Sequence, residues 1–164
     1  MVTANNLNTK NPLVQAVYVS TSSLVTCTSH IPTDDTIPQN TEGTEVLTVT
    51  ITPRSTTSIL KFTSVITAGN GSNSAGYTQA LFQDTTDNAL AAKISKIEIN
   101  SAGTQVMQHV MPAGTTSSTT FKIRVGSHNE DANYSVYING DPSGNRFLGG
   151  VSGTYLIIEE FYNY

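Results

Sequence analysis

The 164-residue chain has no tryptophan, a single cysteine and few charges, with only 12% of its residues Asp, Glu, Lys or Arg. Each scarcity excludes something. One cysteine cannot close an intrachain disulfide. Cys27 lies in the strand-like run Leu24-Val25-Thr26-Cys27-Thr28, away from any helix N-terminus or base that would activate a thiolate. It reads as a small buried hydrophobe, and a chain without disulfides suits folding in a reducing cytosol. Eight basic residues against twelve acidic ones give a net charge of −4, and the basic residues form no run. The cationic footprint that nucleic acid or an anionic lipid surface requires is therefore missing. No apolar run approaches the ~20 residues of a membrane-spanning helix, and the first residues lack a charged-then-apolar signal pattern. Helical periodicity is missing too: Asn88-Ala89-Leu90-Ala91-Ala92-Lys93 makes one turn at most.

Catalytic machinery is equally sparse. Serines are plentiful, yet no Gly-x-Ser-x-Gly elbow occurs. His30, His109 and His128 stand apart, without His-Glu-x-x-His or Cys-x-x-Cys spacing, so neither a metal nor another cofactor is expected. Asp84-Thr85-Thr86-Asp87-Asn88 and Asn129-Glu130-Asp131 read as turns, since neither follows a calcium-loop pattern. Glu159 and Glu160, adjacent on a strand, point to opposite faces and cannot work as an acid–base pair. Asp34 and Asp35 precede a proline-rich turn, where carboxylates accept backbone hydrogen bonds. A non-enzymatic protein is expected.

What the chain has in abundance is Ser and Thr, roughly a quarter of the residues, which suits half-exposed pleated surfaces. Runs of period-two alternation predict strands at 14–19, 24–28, 45–52, 58–67, 77–84, 93–100, 105–111, 119–126, 134–139 and 154–162. Gly, Pro, Asn and Ser punctuate them, and no internal repeat is present, which together predict an all-β antiparallel sandwich. Residues 1–13 read as a linker or junction and 14–164 as one domain. Asn139-Gly140 and Asp141-Pro142-Ser143-Gly144 are turn signals, the first suited to positive φ. The segment 69–76 (Gly-Asn-Gly-Ser-Asn-Ser-Ala-Gly) is a loop between two strong strands. Phe121, Ile123 and Val125 alternate with Lys122 and Arg124, as for one wet face. The last strand differs, because Tyr155, Ile157 and Phe161 share one parity and Leu156, Ile158 and Tyr162 the other. A strand apolar on both faces needs a second apolar neighbour beyond the opposite sheet, such as another subunit.

Sugar recognition favours flat side chains flanked by amides and hydroxyls, because a pyranose has an apolar face and a polar rim. The best enrichment is the run 127–137, with His128, Asn129, Tyr134 and Tyr137 as candidate contacts and Tyr77 beside the glycine loop.

The polar segment 31–43 (Ile-Pro-Thr-Asp-Asp-Thr-Ile-Pro-Gln-Asn-Thr-Glu-Gly) feeds directly into the strand at 45–52. Together with Ala80-Leu81-Phe82-Gln83-Asp84, Ala113-Gly114-Thr115-Thr116 leading to 119–126, and the closing Leu156-Ile157-Ile158-Glu159-Glu160-Phe161, it resembles the C-terminal head domain of bacteriophage tail fibres, from about Val14 to Tyr162. The resemblance implies a jelly roll like that of the tumour necrosis factor group, assembled as a homotrimer. It implies a receptor-binding role at a fibre tip, with the virion attached to a bacterial surface glycan or protein. Partners would then be its own copies and other fibre proteins, with synthesis in the host cytoplasm and no membrane insertion. Within a trimer, Tyr155, Ile157 and Phe161 would face a neighbour, and His109, flanked by Met107 and Met111, would line the three-fold axis. The alternatives are a structural trimerisation cap on a fibrous virion protein and a capsid decoration protein.

Overall fold

The computed structural model describes residues 12–70, 75–98, 100–128 and 135–163. Ten strands form, close to those the alternation predicts: β1 (Leu13–Thr21), β2 (Val25–Cys27), β3 (Thr44–Ile51), β4 (Ile59–Asn70), β5 (Ala75–Gln83), β6 (Ala91–Ile97), β7 (Ala102–Pro112), β8 (Thr119–Ser127), β9 (Val136–Ile138) and β10 (Thr154–Phe161). All named strand pairings are antiparallel. One sheet holds six strands in the order β1-β10-β4-β9-β2, with β7 also paired to β4, and the other holds four in the order β3-β8-β5-β6. Strand β4 is the hub. β7 pairs along nearly its whole length, and its other side meets β10 through residues 59–65 and β9 through residues 68–70. The chain thus crosses between sheets in jelly-roll order.

The core lies between the sheets. Leu47 and Ile51 of β3, Phe121, Ile123 and Val125 of β8, and Tyr77 and Leu81 of β5 face Leu60, Phe62 and Ile66 of β4 and Leu156 and Ile158 of β10. Phe62 meets Phe121 edge-on at 4.7 Å between ring centroids, an arrangement that adds about 1 kcal/mol to the area buried. Cys27 is fully buried and its thiol pKa is pushed up to about 12, chiefly by that burial, so it is the inert hydrophobe its surroundings predict.

The segment 31–43 crosses the outer face of the four-stranded sheet. Ile31 is fully buried against Ala80 and Phe82, the outward-facing residues of β5. The Ile31 N–H donates to the Ser127 carbonyl at 2.9 Å, and the Gly43 N–H donates to the His30 carbonyl at 2.9 Å. At the far end, the Asn40 N–H donates to Asp87 and the Ala89 N–H to Pro38. Arg124 clasps the return leg, its Nε donating to the Glu42 carbonyl at 2.6 Å and its Nη2 to that of Gly43 at 2.8 Å. The predicted turns among the described residues are present, and Asn129-Glu130-Asp131 lies outside those residues. Asp34 accepts from the Thr36 N–H, Asp84 caps the start of β8 by accepting from the Thr120 N–H, and Asn139 adopts φ +59°.

Candidate functional site

The wrapped segment covers only part of the outer face of the four-stranded sheet. Beyond it, the outward residues of β6 stay exposed, with Lys96 opposite Gly76, Ile94 opposite the buried Thr78 and Ala92 opposite the buried Ala80 of β5. Two recesses lie there. One, of about 460 Å³, is lined by Gly76, Ile94, Ser95, Lys96 and His128. The other, of about 310 Å³, is lined by Pro32, Thr33, Asp34, Thr36 and Pro38 of the wrap and by Thr78, Ala92, Lys93 and Ile94. Ile94 belongs to both, so they form one groove with an apolar saddle, and 59% of that residue is exposed.

Two buried atoms beneath this surface, the Thr78 hydroxyl and His128 Nε2, have no hydrogen-bond partner among the described residues, and neither is open to the groove. Thr78 is only 5% exposed, so water does not compensate its hydroxyl freely. His128 is placed by the backbone bond from its N–H to the Gly76 carbonyl, and the Nδ1–Cε1 edge of its ring lies against Gly76. A Cβ on residue 76 would fall 1.9 Å from Nδ1, so this position accepts only glycine while the ring stays where it is. Burial lowers the His128 pKa, and a hydrogen bond with the Tyr77 backbone partly offsets it. The ring is therefore neutral at pH 7, with a lone pair or an N–H at the buried Nε2 according to tautomer.

The structure separates the residues that the sequence grouped. His128 lines the groove. Tyr77 does not: it is fully buried between the sheets, its hydroxyl donating to the Ile66 carbonyl at 3.5 Å, so it is a core residue and no ligand contact. Tyr137 lies between the buried Val136 and Ile138 on β9 and so points out from the six-stranded sheet, on the opposite side of the sandwich from His128. Asn129 and Tyr134 lie outside the described residues. The loop at 69–76 is described only at its ends. Alternation alone could not distinguish a tyrosine facing in from one facing out. Thr78, Ile94 and Lys96 were missed because nothing local marks which part of a sheet's outer face a distant segment will border.

The four residues proposed for a subunit interface also divide. Tyr155, Ile157 and Phe161 all face out from the six-stranded sheet and are half-buried. They join Tyr18 and Leu13 of β1, Ile59 and Val65 of β4, and Val106 and Val110 of β7 on that face. His109 has the opposite parity. It faces Met107's side of β7 and packs on Phe62 at 5.9 Å, with burial lowering its pKa, so it belongs to the margin of the core and not to this surface.

No family model matches the chain, and no curated protein matches its sequence. Among solved structures, the C-terminal domain of EclA, described as a sugar-binding protein, matches with 16% identity and a TM-score of 0.37, over 83% of this chain and 85% of that one. The infectious bursal disease virus Gx strain matches with 9% identity and a TM-score of 0.44, over 97% of this chain and 42% of that one. The VP2 subviral particle of infectious bursal disease virus matches with 14% identity and a TM-score of 0.36, over the same shares. We draw no argument about ligand or assembly from likenesses at this level.

Proposed function

We propose that this chain is a non-enzymatic receptor-binding head, the tip of a phage tail fibre that attaches the virion to a bacterial surface. The observation that carries the reading is the groove over β5 and β6, with an exposed apolar saddle at Ile94 and His128 at one end. Open grooves of this kind bind weakly one at a time, and several copies on one fibre supply the missing affinity through avidity. The groove's His128 end lies at the end of the sandwich opposite Leu13, where β1 pairs with the close of β10. A stem joined at Leu13 would leave it pointing outward. The test is adsorption of the labelled protein to a panel of bacterial strains. Saturable binding to some strains, weakened about tenfold by His128→Ala and lost as pH falls below the ordinary histidine value of 6.5, supports the reading. Absence of adsorption across the panel overturns it.

A second reading, a trimerisation cap whose task is to register three chains, is favoured by the apolar outer face of the six-stranded sheet. Tyr18 there is 75% exposed, Val110 56% and Val106 51%. A cap predicts stable trimers that bind no cells.

A further inference from the structure

On the premise that this head attaches to a bacterial surface, a second element at its far end identifies the class of receptor. We infer that the turn at 147–151 is a contact element that seats Leu148 and Val151 in an apolar pocket of a protein receptor. Backbone strain is the first observation. Among the described residues, those other than glycine with positive φ are Asp84, Asn100, Asn139 and Leu148. The short polar side chains of Asp and Asn tolerate the left-handed region, whereas Leu148, at φ +50° and ψ +39°, is the bulky exception. Nothing inside the molecule offsets this strain, because Leu148 is 79% exposed. Val151 beside it is 85% exposed, and the two are the barest large hydrophobic residues described. A residue held in a strained conformation with its apolar side chain unburied points to a contact outside the chain.

The turn is also firmly built. The Val151 N–H donates to the Leu148 carbonyl at 3.3 Å, and the Phe147 N–H donates to the Asn139 carbonyl at 2.9 Å. The Phe147 ring rests on Gly69, where an added Cβ would lie 2.6 Å from Cζ. Arg146 lies along Gly150, where an added Cβ would lie 2.4 Å from Nη1. The apolar pair is thus presented in one geometry, which lowers the ordering cost of binding. Its position suits the role. Strand β10 begins at Thr154 opposite Thr21, the end of β1 remote from Leu13, so a stem joined at Leu13 leaves the turn facing outward.

The shape decides the partner. Two projecting aliphatic side chains need a concave apolar complement. A pyranose offers a flat apolar face, which suits an aromatic ring better than a branched projection. An anionic lipid surface repels a chain of net charge −4. A folded protein supplies an apolar pocket with a polar rim. The rim on this side is the recess of about 370 Å³ that Phe147 lines together with Asn100, Ser101, Asp141 and Ser143.

The experiment uses the intact protein and the strains that adsorb it. Leu148→Asn tolerates the positive φ and removes the apolar projection, so it should raise the melting temperature and weaken adsorption about tenfold. Val151→Ser should leave the melting temperature unchanged and weaken adsorption to a similar extent. Undiminished adsorption by either variant overturns the contact element while leaving a receptor-binding head standing. An equal or lower melting temperature for Leu148→Asn removes the strain argument, and the inference with it. Shaving the cells with protease should abolish adsorption, and periodate, which cleaves vicinal diols of sugars, should leave it intact. The reverse pattern overturns the protein assignment. Light scattering should give wild type and Leu148→Asn the same solution mass, and a smaller mass for the variant makes the turn a contact between copies and overturns the receptor role. Wild-type adsorption to no strain removes the receptor-binding reading itself, and this inference with it.

Discussion

Glu160 is the least expected residue of the fold. It lies one residue before the end of β10 with no exposure at all, facing the core, while its neighbour Glu159 faces out and pairs with Lys61 at 3.1 Å. A buried carboxylate persists only when its oxygens are hydrogen-bonded. Here Gln15 Nε2 donates to one oxygen at 2.6 Å and the Arg54 N–H to the other at 2.7 Å. Gln15 also donates to the Thr52 carbonyl, so one carboxylate ties β1 and the β3–β4 connection to the end of β10. Burial by itself raises the pKa of Glu160, but the hydrogen bonds outweigh it and hold the group below 4.5. A folded-state value below the unfolded one means that its contribution is full above pH 4.5 and is lost as pH falls through the folded value. Glu160→Gln, which turns one acceptor into a donor, should cost about 2 kcal/mol at pH 7 and clearly less at pH 3, as read by urea denaturation. A gap that is the same at both pH values would show that the charge is irrelevant to the clamp.

Among the elements, the wrap at 31–43 is held by hydrogen bonds at both ends and by one tight approach. Burying Ile31 contributes roughly 1.5–3 kcal/mol, and that burial requires the chain to pass directly over β8. It does so at Gly126, where an added Cβ would lie 2.7 Å from the Ile31 nitrogen and 2.8 Å from the His30 carbonyl carbon. Both are backbone atoms, so no side-chain rotation relieves the clash. Gly126→Ala should cost about 1–3 kcal/mol, the range for overpacking, and should break the Ile31–Ser127 hydrogen bond. Limited proteolysis should then cut between residues 31 and 43 before the sandwich unfolds. Cleavage no faster than in the wild type would mean that Arg124 and the Asn40–Asp87 bond hold the wrap alone. The consequence is functional as well, because this segment forms one wall of the groove.

For the whole molecule, the unresolved matter is what covers the outer face of the six-stranded sheet. Four strands at ~4.8 Å spacing and nine residues at ~3.4 Å rise span roughly 600 Å², shared between the apolar residues and polar ones such as Thr63 and Gln108. Its two central charges, Lys61 and Glu159, neutralise one another, so a copy of the same face meets no net charge there although the chain carries −4. Under the fibre-head reading this face packs against neighbouring subunits, and light scattering after size exclusion should give three times 17.5 kDa. Charging the rim with Tyr18→Lys and Val106→Lys should yield a folded monomer with an unchanged melting profile at low concentration. A wild-type monomer, or a double variant that stays trimeric, removes this face from the assembly.

Much of this architecture is carried by local order in the chain. Period two in β3, β8 and β10 decides which residues face inward, because a one-residue slip would bring Lys122 and Arg124 into the core. The turn chemistry of Asp34, Asp84 and Asn139 is equally local, since a short polar side chain bonds to backbone a few residues away. The all-β class, the strand set and the inert Cys27 follow from such rules. Folding alone decides which strands become neighbours and what lies over their outer faces. Tyr77 and Tyr137 occupy equally plausible strand positions, yet one is core and the other lies on the far surface. The groove exists because the segment 31–43, distant in sequence, covers Ala80 and Phe82 and leaves Ile94 exposed. That boundary is set by contacts between distant parts of the chain, and no periodicity in either part encodes it.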